Sequence, residues 1–166
     1  MDKSAEDLNL QPTMQDRDGF KVVGCAGEFV PGATQDIGAL WSHFAPRIAE
    51  VQGRVGSATY GVCCVPEEGM ADSGRFTYIA GVEAAELEVI PEGMTGIELA
   101  AKRYAVFAHE RGLGPELPKT LQYIFAHWLP ASDYQPDGWD FEYYDDQFDP
   151  MTGTGTFYIY VPVKPK

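Results

Sequence analysis

The stretch Trp139-Asp140-Phe141-Glu142-Tyr143-Tyr144-Asp145-Asp146 reads as a β-strand, because aromatic side chains suit a pleated, half-buried surface. Successive side chains on a strand point to opposite faces. Glu142 and Tyr144 therefore share one face, and Phe141 and Tyr143 the other. One face can pack on a core while the other presents a carboxylate beside a phenol. A carboxylate among aromatic rings suits an organic cation: the charge supplies Coulomb attraction, and each ring face adds about 0.5–2 kcal/mol. The competing reading makes Glu142 the wet face of an edge strand, since structural carboxylates far outnumber functional ones.

Working outward, Asp149 to Gly155 is a Gly/Thr loop, and Thr156 to Val163 alternates as a last strand, with Phe157, Ile159 and Val161 opposite Tyr158 and Tyr160. Upstream, Leu117, Leu121, Ile124, Phe125 and Trp128 form the buried stripe of a helix over Leu117–Leu129. Pro118 suits its first turn, and Pro130 is expected to end it. Arg111 to Pro115 is a loop, and Arg103–His109 a strand. The same order occurs earlier. Phe20–Val30 is a strand, with Gly24 and Gly27 marking a bulge or close backbone approach. After the turn Pro31–Thr34, with Thr34 as cap, a helix runs from Gln35 to Val51, and Pro46 should kink it or split it after Phe44. Gln52–Ser57 is a loop. Ala58–Val65 and Arg75–Ala84 are antiparallel strands around a turn at Pro66–Gly74, and Glu83–Gly96 is a connection.

The chain thus reads as an α+β fold of two pseudo-symmetric β-α-β-β units, about 19–85 and 97–164, within one domain over 19–166. The halves share an antiparallel sheet, with two main helices on one face and a ligand cleft at the seam, a usual place for small molecules. Residues 1–18 are polar, acidic and read as a flexible tail.

Composition narrows the function. With 166 residues and 45% apolar content, the chain can bury a core without staples. A net charge of −13 disfavours nucleic acid and anionic membranes, which need basic stripes, and is compatible with cationic ligands. No apolar run approaches the roughly 20 residues that span a bilayer, and no signal core opens the chain, so the expected location is cytoplasmic. Cys63 and Cys64 are adjacent, so a bridge between them would be strained; with Cys25 they read as reduced, buried thiols. The chain has no phosphate-cradling glycine loop, and His43, His109 and His127 stand at no metal-ligand spacing. No cofactor or metal is expected. A Cys–His nucleophilic pair stays open, although His109 and His127 read as surface or helix-face residues. The tyrosines on the strands, Tyr60, Tyr78, Tyr104, Tyr144, Tyr158 and Tyr160, are each more often sheet residues than ligand contacts. Together, beside one glutamate on a face without helix cover, they point to a binding cleft.

Tyr78-Ile79-Ala80-Gly81-Val82, Arg103–His109, Trp128-Leu129-Pro130-Ala131-Ser132, Phe141-Glu142-Tyr143-Tyr144 and Tyr158–Val163 occur in that order. In this respect the chain, over Phe20–Val163, resembles the effector-binding domains of the gyrase-inhibitory-protein-like superfamily, and among them the stand-alone integron-cassette proteins. The resemblance implies a pseudo-twofold pair of β-α-β-β units around an aromatic cleft. Its glutamate, matching Glu142, would pair with cationic lipophilic drugs or dyes, and aromatics matching Tyr104, Phe107 and Tyr160 would line it. Regulators of the superfamily add a DNA-binding helix-turn-helix; the short acidic segment before Phe20 leads us to expect none here. Lys102 departs from the glycine that relatives often carry before the Tyr104 strand, which would alter the cleft rim. The reading is a cytoplasmic binding protein for cationic amphipathic small molecules, with Glu142 as anchor. Tyr144, Tyr104, Phe107, Tyr160, Tyr158, Tyr78 and Tyr60 form the cage, and Trp128 and Trp41 outer walls. Two alternatives stand beside it. One is a hydrolase of small strained or activated electrophiles, using the same glutamate and a tyrosine hydroxyl. The other is a protein-interaction module, such as a topoisomerase inhibitor or a subunit of a split regulator.

Overall fold

A computed structural model describes residues 11–29, 35–64, 76–109, 116–149 and 154–166. The expected turn at Pro31–Thr34 with its Thr34 cap, the turn Pro66–Gly74 and the loop Arg111–Pro115 lie outside the described residues.

The strands are β1 (Thr13–Arg17), β2 (Phe20–Phe29), β3 (Arg54–Cys64), β4 (Phe76–Ala84), β5 (Thr95–Leu99), β6 (Lys102–His109), β7 (Tyr134–Pro136), β8 (Asp140–Tyr144), β9 (Phe148–Asp149), β10 (Thr154–Gly155) and β11 (Phe157–Pro165). Among the described residues nine of them form one antiparallel sheet in the order β1-β6-β11-β8-β3-β4-β2-β5, with β7 beside β11, and β9 and β10 form a separate small ribbon. The chain is α+β, as the sequence predicts.

The sheet order is symmetric about the β8–β3 boundary, and the register shows where the pseudo-axis runs. Glu142 of β8 lies opposite Gly61 of β3. Outward from this pair come Ile159 on one side and Ala80 on the other, then Phe107 and Cys25. Glu142 and Gly61 therefore occupy the same position in the two halves, at the axis itself. One half carries the glutamate at this position and the other a glycine.

Two strands escape the sequence reading. Residues Thr13–Arg17, expected in a tail, are the edge strand β1 paired with β6. Thr95–Leu99, expected largely as connection, is β5 paired with β2. Each strand precedes the first strand of its own half yet pairs with the first strand of the other half, a reciprocal exchange. Short strands of this kind have little local signal; the open edges of β2 and β6 supply their hydrogen bonds. β3 also begins earlier than expected, at Arg54, through an irregular register with Gly56 at φ +71°.

The first helix, α1 (Gln35–Phe44), gives way at Ala45 to a 3-10 segment, Ala45–Glu50, with Pro46 in its first turn. The second begins as α2 (Glu116–Gln122), widens into a π-helical segment, Tyr123–Trp128, and closes as α3 (Leu129–Ala131). Pro130 was expected to end the helix before it. Instead the widened turn, closed by Leu129 N–H on the Ile124 carbonyl, carries the helix past a ring that would clash in a regular α turn. The extra residue per turn also rotates Phe125 out of the expected buried stripe, leaving it 40% exposed.

Both helices cover one side of the sheet. Phe44 of α1 packs with Val23, Tyr78, Ala80 and Val82; Ile124 and Leu129 pack with Phe107, Tyr144, Ile159 and Val161. The other side has its own core of Phe20, Tyr60, Val62, Tyr104, Phe141 and Tyr160, with no helix over it among the described residues.

Candidate functional site

Glu142 sits on the helix side, because its cross-strand neighbour Ile159 packs there. It is part-buried between the clusters under the two helices. The Tyr78 hydroxyl donates to Glu142 Oε1 at 2.7 Å, and Tyr144 also hydrogen-bonds the carboxylate. Trp41 of α1 donates its Nε1–H to the Tyr78 oxygen at 3.1 Å and stands edge-on to Tyr144 at 5.8 Å. The chain indole–phenol–carboxylate thus ties α1 to the axis of the sheet. Among the described residues no lysine or arginine pairs with Glu142.

Gly61 makes this possible. Tyr78 stands on β4 and Glu142 on β8, with β3 between them. The phenol crosses the intervening strand at Gly61, where an added Cβ would run into the Tyr78 hydroxyl and lie 2.7 Å from Glu142 Oε1. Glycine within a strand often marks such a close approach.

Burial pushes the Glu142 carboxyl above its ordinary range, and the hydrogen bonds from Tyr78 and Tyr144 oppose the shift. The same burial, reinforced by the Glu142 charge, raises both phenols well above theirs, so both remain donors at neutral pH. A second acid shares the face. Asp140, two residues away on β8, is raised to about 7 by burial and by the Glu142 charge, against hydrogen bonds from its own backbone and from Cys63.

The expected site residues divide between the two sides of the sheet. Glu142, Tyr144, Tyr78, Phe107, Trp41 and Trp128 belong to the helix side. Tyr60, Tyr104 and Tyr160 belong to the core of the other side, with Tyr158 packed against it. The structure does not bring these four to Glu142. Strand parity is the reason: Tyr104 and Phe107 are three residues apart, and Tyr158 and Tyr160 flank the inward Ile159. Glu142 itself is on the helix-bearing face, not on the uncovered face expected for it. Phe107 lies two strands away, at about 10 Å from strand spacing alone, and packs edge-on against Trp128 at 5.2 Å. His109, expected at the surface or on a helix face, lies on β6 and is 3% exposed, with Nδ1 3.1 Å from Thr120 Oγ1 and its ring 5.1 Å from Phe157. Gly61 and Asp140 were missed. Parity with Glu142 would have found Asp140, and a glycine inside the strand Tyr60-Gly61-Val62 was the signal for the other.

Among the described residues no group of three or more His, Cys, Asp or Glu is placed to hold a metal. No helix among them is long and apolar enough to cross a membrane. Two surface hollows, of about 250 and 320 Å³, are lined by Phe20, Lys21, Glu83 and Glu98 and by Asp16, Arg17, Lys102 and Arg103; neither includes Glu142.

Residues 10–164 match the family described as the GyrI-like small molecule binding domain. The chain is 35% identical over 159 residues to the transcriptional regulator BrlR of Pseudomonas aeruginosa, covering 93% of this chain and 56% of the regulator, so it spans about half that relative's length. The structure of SAV2435 bound to tetraphenylphosphonium superimposes with a TM-score of 0.71 at 20% identity, over 95% of this chain and 94% of that one. The integron cassette protein VCH_CASS2 from the mobile metagenome of Vibrio cholerae gives 0.66 at 18%, over 95% and 99%. From its family match and its BrlR identity, this chain belongs to the GyrI-like small molecule binding domain family.

Proposed function

We propose that the chain binds lipophilic organic cations on the helix side of the sheet, with Glu142 as the anionic anchor. The observation that carries this reading is a part-buried carboxylate held by two phenol hydroxyls, with no basic partner among the described residues. SAV2435, a similar fold, holds tetraphenylphosphonium. That ion is a delocalised charge wrapped in rings, the class of guest that such a site suits.

The residues divide the work. Tyr78 and Tyr144 orient the carboxylate and help hold it ionised, since hydrogen bonds to the charged form favour it. Trp41 and Tyr144 present ring edges and faces beside it. A guest reaches the carboxylate by parting the Trp41 indole from Tyr144 and Tyr78. It then replaces one ring contact with its own and supplies the missing positive charge. Gly61 keeps open the space in which phenol and carboxylate meet.

Titration of the whole chain with tetraphenylphosphonium, parent against Glu142→Gln, tests this. The amide keeps the shape and removes the charge, so affinity should fall by about 1–3 kcal/mol, as for a lost charged contact. Equal affinity of the two proteins would end the anchor role.

A further inference from the structure

The side of the sheet that bears no helix among the described residues already holds a cation. The Arg17 guanidinium lies 4.0 Å from the Phe20 ring centre, 5.5 Å from Tyr60, 5.7 Å from Phe141 and 6.0 Å from Tyr160. Its Nη2 donates to the Tyr60 oxygen at 2.9 Å and to Glu83 Oε1 at 3.2 Å, and the Tyr60 hydroxyl donates to the same Glu83 oxygen at 3.2 Å. The Arg17 and Glu83 side chains are 17% and 22% exposed. Four rings from β2, β3, β8 and β11 therefore converge on one planar cation, with a carboxylate and a phenol oxygen at its edge. The sheet must curl to bring the end of its edge strand β1 over them.

Pseudo-symmetry shows that this position does not need a charge to complete the fold. Arg17 pairs with Lys102, and Leu99 pairs with Phe20, so Arg17 and Leu99 are equivalent in the two halves. Leu99 plugs the same aromatic core at 7% exposure as a plain apolar residue. Glu83 is likewise equivalent to Pro162, three residues beyond the matched pair Ala80 and Ile159. Only the Arg17 end carries a cation, a carboxylate and a phenol together. The two surface hollows open beside it, one lined by Phe20 and Glu83, the other by Arg17.

We propose that Phe20, Tyr60, Phe141, Tyr160 and Glu83 form a second binding site, selective for a guanidinium group, which the chain closes with its own Arg17. A guanidinium is planar, weakly hydrated and stacks on ring faces while its N–H fork meets a carboxylate, so it fits where a compact ammonium or a bulky tetrahedral cation does not. The strap that closes the site is a five-residue edge strand whose backbone, among the described residues, pairs with β6 alone. An external guanidinium competes with Arg17 alone and needs no part of the Glu142 site.

The test is chemical complementation of the whole chain. Arg17→Ala should lower the Tm, and n-propylguanidinium should raise it again saturably, more than it raises the parent and more than n-propylammonium does. Adding Glu83→Gln should abolish that rescue, whereas adding Glu142→Gln should leave it intact, which separates this site from the anchor. A peptide carrying residues 13–17 with its arginine distinguishes the sources. Rescue by the peptide alone assigns the site to an arginine of a partner segment; rescue by n-propylguanidinium assigns it to small molecules. Rescue by neither, or equal shifts in parent and variant, overturns the proposal. If Arg17→Ala does not fold, hydrogen exchange in the parent decides: n-propylguanidinium should speed exchange of the β1 amides, and unchanged protection overturns the proposal.

Discussion

The two sides of the sheet solve opposite electrostatic problems with the same kind of ring. On the helix side a carboxylate is held by phenols and has no cation of its own among the described residues. On the other side a guanidinium is stacked on rings and matched to Glu83. On the proposed reading the first arrangement awaits a guest, because desolvating an anion costs free energy that an incoming cation can offset. The second is complete in itself and ties β1 to the body of the fold. Aromatic content therefore does not distinguish a site awaiting a guest from one the chain has already filled; the balance of charge does.

This comparison can be broken in several ways. The largest effect should come from Phe141, fully buried and 4.6 Å from the Tyr160 ring, with Phe20, Tyr60 and Tyr104 around it. Phe141→Ala should cost about 3–5 kcal/mol of stability in urea unfolding, whereas its neighbour Glu142→Gln should leave stability nearly unchanged. If the two costs were similar, the contrast between a side closed by the chain's own packing and a side left open for a guest would be wrong.

Gly61→Ala comes next. The new methyl must push the Tyr78 phenol off its path to Glu142, at about 1–3 kcal/mol for overpacking. Tetraphenylphosphonium affinity should fall with it. A variant that lost stability but bound normally would show that the phenol does not position the carboxylate.

The smallest effect is a dependence on pH. Asp140 titrates at about 7 in the folded chain, against about 4 when unfolded. Over that window the folded state keeps a proton that the unfolded chain has released, so stability should fall as pH rises and level off above about 7. Asp140→Asn should remove this part of the slope in urea titrations at a series of pH values. With Glu142, raised in the same direction, as the proposed anchor, cation affinity should run the other way, strengthening as the carboxylates ionise. Affinity that weakened with rising pH would contradict an anionic anchor.

Local pattern was enough to place the main strands of both halves, the break of the first helix at Phe44 and the assignment of Glu142 and Tyr144 to one face. Period-two alternation and a proline inside a helical stripe are short-range signals that any packing must respect. It was not enough for Tyr104, Tyr158 and Tyr160. Their parity was readable, but which parity meets the helices is set by how the halves join. β1 and β5 were also out of reach, because each takes its hydrogen bonds from the other half.

The sequence by itself determined an acidic α+β chain with two like halves and a glutamate flanked by aromatics, since residue spacing and composition carry that information directly. Only the tertiary structure decided that Glu142 stands on the pseudo-axis opposite Gly61, that Tyr78 reaches it across an intervening strand, and that Arg17 fills the rings on the far side. Apart from Arg17 on Phe20, those contacts join residues more than forty positions apart. They arise from strand order and sheet curvature, which no local stretch encodes.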